Sequence, residues 1–354
     1  IRASASEPCN LSLKINDVVV TSVADAVELE YTHTIIESED ISTVLVEGEA
    51  GGITASDSLD YVVRTESSTQ SLPDGAIAGI NYFNDATRAT LVLWAPQKSS
   101  AYAVGDFSDW KVSPEYQMKR DGEYFWIELS GLNPQEEYSF QYLVDETLWI
   151  ADPFTDTVLD PDDQYIPDDT YPDLKPFPDA AKKDQWYFNT LSVLQTGQVP
   201  YQWQTANYQA PEKENLIIYE LLLRDFFENG ERNYQNLIDT LGYLKRLGIN
   251  AIQLMPIMEF NGNESWGYNP AFMLAPDKYY GTKNKLKEFV DKAHAEGIAV
   301  ILDIAMNHHN LPNPFVMMYF NFTTYKPTPS NPWFNVDAKH PFNVFYDMNH
   351  ESTY

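Results

Sequence analysis

The hydrophobic pattern changes its period twice along the chain. From Leu11 to about Arg64 the apolar residues come in short runs, Leu11-Ser12-Leu13-Lys14-Ile15 and Val18-Val19-Val20, divided by polar turns and with no helical period. That pattern predicts antiparallel strands in a sandwich. Residues 66–75 are polar and turn-rich and mark a boundary. From Ile77 onward strands return at 89–94, 100–104, 124–129 and 138–144, separated by turns such as Arg120-Asp121-Gly122, which predicts a second sandwich. Residues 152–178 are dense in Asp and Pro and read as an extended connector lying on a surface, because proline disfavours both helix and central strand. A further polar stretch runs to Asn215.

Strand and helix then alternate. Residues 216–223 form an apolar run ending in Arg224-Asp225, and Asn233 is placed to cap a helix through Arg246 that carries Leu237, Leu241, Leu244 and Leu247 before Gly248 stops it. A second apolar run at 249–256 is followed by a long loop, 259–281, holding Trp266-Gly267-Tyr268-Asn269-Pro270 and Asp277-Lys278-Tyr279-Tyr280-Gly281. Thr282 then caps a helix with Leu286, Phe289, Val290 and Ala293, stopped by Gly297. A third run, Val300-Ile301-Leu302, ends in Asp303-Ile304-Ala305-Met306-Asn307-His308-His309. The order helix, Gly, Ile, strand occurs twice, which predicts a parallel sheet with right-handed crossovers and strands buried on both faces. Polar groups placed as such strands end are where barrel enzymes keep their chemistry. On these ten residues alone, a core strand running into an ordinary polar turn is an equal alternative.

Composition narrows the partners. With 354 residues and 44% hydrophobic content the chain supports two or three cored domains, and a net charge of -29 argues against nucleic acid and anionic membrane surfaces. No run reaches the ~18 apolar residues of a membrane helix. A neutral partner tolerates the charge, and the 14% aromatic content suits sugar faces as well as sandwich cores. The single cysteine, Cys9, excludes an intrachain disulfide framework, and its polar setting does not suit lipid attachment. A first residue of Ile rather than Met fits a removed leader, so an extracellular, cell-surface or periplasmic location is expected.

Two resemblances add to this reading. Gly105-Asp106-Phe107-Ser108-Asp109-Trp110, Gly122-Glu123-Tyr124-Phe125-Trp126, residues 138–144 and Trp149-Ile150-Ala151-Asp152-Pro153 resemble the carbohydrate-binding module family 48 domains that precede α-glucan-active enzymes. That resemblance implies accessory sugar stacking at Trp110 and Trp149, or a domain that only packs on its catalytic partner. Ile218-Tyr219-Glu220-Leu221, Arg224-Asp225-Phe226, the Trp266–Pro270 loop and Asp303 through His308 are similar to the first part of the catalytic barrel of glycoside hydrolase family 13, the α-amylase superfamily. The loop is similar to the debranching, pullulanase-like type.

The barrel resemblance implies Asp303 on the floor of a sugar subsite, His308 bonding the ring that is cleaved, and Tyr268 as the aromatic platform beneath it. Trp266 is a substrate-binding candidate, although loop packing is its stronger expectation, and Glu259 and Asp277 read as solvated loop or turn residues. Asn307 matches a residue that binds calcium in many members; no other cofactor is implied. His309 has no family role and reads as solvated or as support for the site. The expected layout is a β-sandwich at 1–74, a module-like sandwich at 75–178, a linker at 179–215, and the first part of a (β/α)8 barrel at 216–354. Such a barrel takes about 250 residues, and the nucleophile and acid of a retaining mechanism are expected beyond Tyr354. The remainder is then expected as a separate segment or chain, with an unpaired apolar edge on the third strand and no hydrolysis by this chain alone. The expected activity is α-glucan hydrolysis of debranching type; a branching transferase and a non-catalytic glucan-binding protein are the alternatives.

Overall fold

The computed structural model describes residues 1–33, 41–62, 67–227, 232–341 and 344–353. At the N-terminus β1 (Arg2–Ile15), β2 (Val18–Glu30), β3 (Ile41–Ala50) and β4 (Ile53–Val62) form one antiparallel sheet in the order β2-β1-β3-β4. This corrects the expected sandwich. The alternation supplies one apolar row, with Leu11, Leu13, Ile15, Leu29 and Val44 buried, while Val18, Val19, Ile53 and Leu59 are exposed and face no second layer among the described residues.

The next unit is a two-sheet sandwich, as expected. One sheet joins β5 (Gly79–Tyr82), β6 (Ala89–Trp94), β8 (Lys119–Asp121) and β9 (Tyr124–Leu129) in the order β5-β6-β9-β8. The other is built on β10 (Tyr138–Val144), which pairs with β7 (Ala101–Gly105), β11 (Leu148–Ile150) and β13 (Leu191–Leu194), while β12 (Val158–Leu159) pairs with β13. The unit therefore runs to about residue 194 rather than 178. The Leu191-Ser192-Val193-Leu194 segment is too short and too flanked by polar residues to stand out in sequence, yet all four side chains are buried. The connector is also more than a surface strap. Asp152 is fully buried, accepts from Tyr142 Oη and the Phe154 N–H, both at 2.7 Å, and burial pushes its carboxyl up to about 6.

The third unit alternates β14 (Ile218–Leu221), the single turn α1 (Leu223–Phe226), α2 (Tyr234–Arg246), β15 (Ala251–Leu254), the hairpin β16 (Met258–Phe260) and β17 (Pro270–Pro276), α3 (Lys283–Ala295) and β18 (Ala299–Leu302). Its parallel sheet has the order β14-β15-β18, with Ile218, Ala251 and Ala299 in register. Both expected caps form: Asn233 Oδ1 accepts from the Asn236 N–H and Thr282 Oγ1 from the Lys285 N–H. Gly248 and Gly297 take positive φ at the helix ends, which a glycine adopts without a Cβ clash. Leu237, Leu241, Leu244, Phe289 and Ala293 fill the core between helices and sheet. The outer strands are less buried than expected, because among the described residues each has only one neighbour; Ile218 and Leu302 are exposed.

Residues beyond β18 pack back on the sandwich rather than extending the sheet. Leu311, Val316, Met317, Phe320 and Phe334 share one core with Leu91, Leu93, Phe125 and Phe140, and the Trp94 and Trp333 rings meet edge to face at 5.2 Å. The linker lies on α3, where Asp291 accepts from Tyr201 Oη at 3.0 Å, from the Gln204 N–H at 2.7 Å and from the Thr205 N–H at 2.8 Å. Among the described residues no helix is long and apolar enough to cross a membrane.

Candidate functional site

The polar ends of β15 and β18 bring two loops together. The Asp303 N–H donates to Leu254 O at 3.0 Å, so Asp303 stands at the very end of the parallel ladder. The Trp266–Pro270 loop enters β17 through Gly267, whose φ is +87 and whose Cβ position, if filled, would lie 2.0 Å from Pro256 O. Only glycine fits there. Ser265 Oγ holds the turn by accepting from the Gly267 N–H at 2.8 Å.

This turn carries Tyr268 over to the end of β18, where its hydroxyl donates to Asp303 Oδ2 at 2.8 Å. Burial of the phenol and that bond push its pKa up to about 12, so the group remains a donor at working pH. Behind it, His308 Nε2 bonds the Tyr268 carbonyl at 2.6 Å, and the Asn310 N–H donates to Pro270 O at 2.9 Å. Three hydrogen bonds thus stitch the second loop to the third. His308 is 7% exposed, its Nδ1 has no hydrogen-bond partner among the described residues, and the Phe345 ring tilts against it at 5.5 Å.

Asp303, Tyr268 and His308 therefore converge as the sequence suggests, with one difference. His308 spends one ring nitrogen on the loop backbone, so it braces the Tyr268 loop as well as standing near it. Tyr268 is 37% and Trp266 61% exposed. Trp266, for which loop packing is the stronger expectation, is instead largely open to solvent. His309 is not solvated. It is buried, its Nδ1 lies 3.3 Å from Asn313 Nδ2, and burial pushes its imidazole down to about 4, so it is neutral. Asn307 is exposed and its carbonyl accepts from the Met348 N–H. Calcium takes six to eight oxygens. Among the described residues no group of three or more His, Cys, Asp or Glu side chains is placed to hold a metal ion.

The sandwich tryptophans are engaged in packing. Trp110 Nε1 donates to Asp106 Oδ1 at 2.9 Å and its ring packs on Tyr102, Val104 and Leu143. Trp149 joins the same cluster, with Lys183 Nζ 4.3 Å from its ring centroid.

Sequence reasoning missed a buried ionic cluster. Lys278 lies between the connector and the β16–β17 hairpin, in contact with Glu259, 3.1 Å from Asp163 Oδ1 and 3.5 Å from Asp160 Oδ2. Glu259 and Asp277 are 4% and 3% exposed, which overturns their reading as solvated loop residues. Asp277 does keep a turn role, accepting from the Tyr279 N–H at 2.9 Å. Burial, only partly offset by Lys278, pushes Asp163 up to about 6, Asp277 to about 7, and Glu259 well above the carboxylate range. No local signal announces this cluster, because its members come from distant segments.

Residues 218–351 match the family model described as the alpha amylase catalytic domain. The malto-oligosyltrehalose trehalohydrolase of Saccharolobus solfataricus is 30% identical over 230 residues, covering 64% of this chain and 34% of that protein. The 1,4-alpha-glucan branching enzyme GlgB of Shewanella frigidimarina is 27% identical over 229 residues, covering 61% and 27%. Among solved structures, a pullulanase from Paenibacillus barengoltzii complexed with maltotetraose superposes with a TM-score of 0.51 at 20% identity, over 67% of this chain and 39% of that one, a likeness of fold. The chain spans about a quarter to a third of the length of these sequence relatives.

Proposed function

We propose that this chain, whose residues 218–351 belong to the alpha-amylase catalytic-domain family, binds an α-glucan at the Tyr268–Asp303–His308 site as part of a retaining α-glucan hydrolase of debranching type. The observation that carries the reading is the exposed Tyr268 ring held by the bond from its hydroxyl to Asp303. A fixed aromatic face suits the apolar face of a neutral pyranose, and the uncommitted oxygen of Asp303 can accept from a sugar hydroxyl. In this role Tyr268 and Trp266 bind, Asp303 orients, and His308 holds the loop. A pre-bonded platform loses little side-chain entropy when sugar arrives, which favours binding.

Calorimetric titration of the full chain with maltotetraose tests this. Saturable binding is expected, weakened at least about tenfold in Tyr268→Ala, the loss of ~1.4 kcal/mol or more that one stacking face supplies. Affinity unchanged in Tyr268→Ala would overturn the reading. The branching-transferase alternative keeps its place because a branching enzyme stands among the sequence relatives. For the sandwich unit, the core shared with residues 311–334 and the occupied faces of Trp110 and Trp149 support a docking role over an accessory glycan site. The expected setting outside the cytoplasm completes the proposal.

A further inference from the structure

A cavity of about 190 Å³ lies where connector, sandwich and barrel loops meet, away from the Tyr268–Asp303 cleft. Val158, Ala271 and Phe272, all buried, supply apolar wall; Asp162 and Asn261, both exposed, supply polar groups on its solvent side. The indole of Trp186, 49% exposed, stands at the rim. An aromatic face, apolar wall and hydrogen-bonding groups in one concave site are the composition of a small-molecule pocket.

Charge decides what kind of molecule fits. Asp160 and Asp162 line the cavity, so an anion is repelled. A cation has little to gain there, because the Lys278 ammonium already sits among Asp160, Asp163 and Glu259. A neutral, hydroxylated ring with one apolar face answers both constraints, and the volume admits one such ring. We infer that this cavity is a second sugar site that takes a single pyranose unit, stacked on Trp186 and bonded by Asn261 and Asp162. The choice of a glucose unit as the ring rests on the glucan reading given above.

The walls give the site a consequence. Ala271 and Phe272 lie on β17, the strand that leaves the Tyr268 loop, and Pro312 follows His308 by one short turn. Asn313 Nδ2 ties the two by donating to Ala271 O at 2.7 Å. A sugar in the cavity thus rests on the same two backbone segments that position the cleft residues, and it bridges connector, sandwich and barrel.

The experiment is fluorine NMR of the full chain carrying 5-fluorotryptophan, titrated with maltose, with the Trp186 and Trp266 signals assigned by Trp186→Phe and Trp266→Phe. The Trp186 signal is expected to shift saturably, to keep doing so in Tyr268→Ala, and to need about three- to tenfold more maltose in Asn261→Ala, the loss of one hydrogen bond. Mannitol, an open-chain polyol without a ring face, is expected to leave it in place. A Trp186 signal that stays still while Trp266 shifts overturns the second site and leaves the cleft reading intact. The converse, Trp186 shifting while Trp266 stays still, supports the second site and overturns the cleft. An equal response to mannitol overturns the pyranose assignment. Asn261 is exposed, so its variant tests the site without a core change.

Discussion

Replacing Lys278 by Met removes the one cation from a buried group of carboxylates while keeping a long unbranched side chain in its place. The lysine, Asp163 and Glu259 side chains are 4%, 3% and 5% exposed, so water cannot take over the lost partner. Breaking a buried pair in this way costs about 3–5 kcal/mol, a large part of the roughly 5–15 kcal/mol that holds a domain together. The cost depends on pH, and the sign follows from the carboxyl shifts. Asp163 and Asp277 titrate near 6 and 7 in the folded chain, and Glu259 is raised well above its usual value. Groups raised in the native state contribute stability that is full below their unfolded values near 4 and is lost as pH rises through the folded ones. These carboxyls are therefore expected to withdraw stability from wild type between about pH 4 and 7. Without the lysine the carboxyls hold their protons to still higher pH, and each further pH unit costs ~1.4 kcal/mol per proton held. Urea unfolding followed by tryptophan fluorescence at pH 5.5 and pH 8 reads both effects. The Lys278→Met deficit should be about 3–5 kcal/mol at pH 8 and fall below ~2 kcal/mol at pH 5.5. A deficit within ~0.5 kcal/mol of zero at both pH values, the range of an ordinary surface change, would refute the reasoning.

Two further outcomes follow from single contacts. Gly267→Ala places a Cβ against Pro256 O at a backbone φ closed to alanine, so the Tyr268 loop must move; maltotetraose affinity should fall at least about tenfold with a melting point lowered by several degrees, read by calorimetry. Asp291→Ala removes the acceptor of three hydrogen bonds that hold linker residues 201–205 on α3, at a cost of about 2–3 kcal/mol, and limited proteolysis should then cut the linker several-fold faster than in wild type.

Some of this protein was legible in its sequence because the governing forces are short-range. Asn233 and Thr282 announce helices through caps three residues long, and Gly248 and Gly297 end them because a left-handed residue is needed there. The apolar runs at 216–223, 249–256 and 300–302 place three parallel strands, and the convergence of Tyr268, Asp303 and His308 follows from loops that leave the same end of one sheet. Other features were decided only in the folded chain. Four β-rich runs look alike whether one sheet or two will form; the count of apolar rows that find a second layer decides, and at the N-terminus only one row is buried. Glu259 and Asp277 read as solvated loop or turn residues until the connector folds over the β16–β17 hairpin and closes them in with Lys278 and Asp163. Trp149 reads in sequence as either a sugar-stacking or a packing residue, and that Lys183, from beyond the connector, lies over its ring is decided only in the folded chain. Periodicity and capping act between neighbours along the chain, whereas burial of a charge or an aromatic face depends on what arrives from a distant segment, and that is settled by tertiary packing.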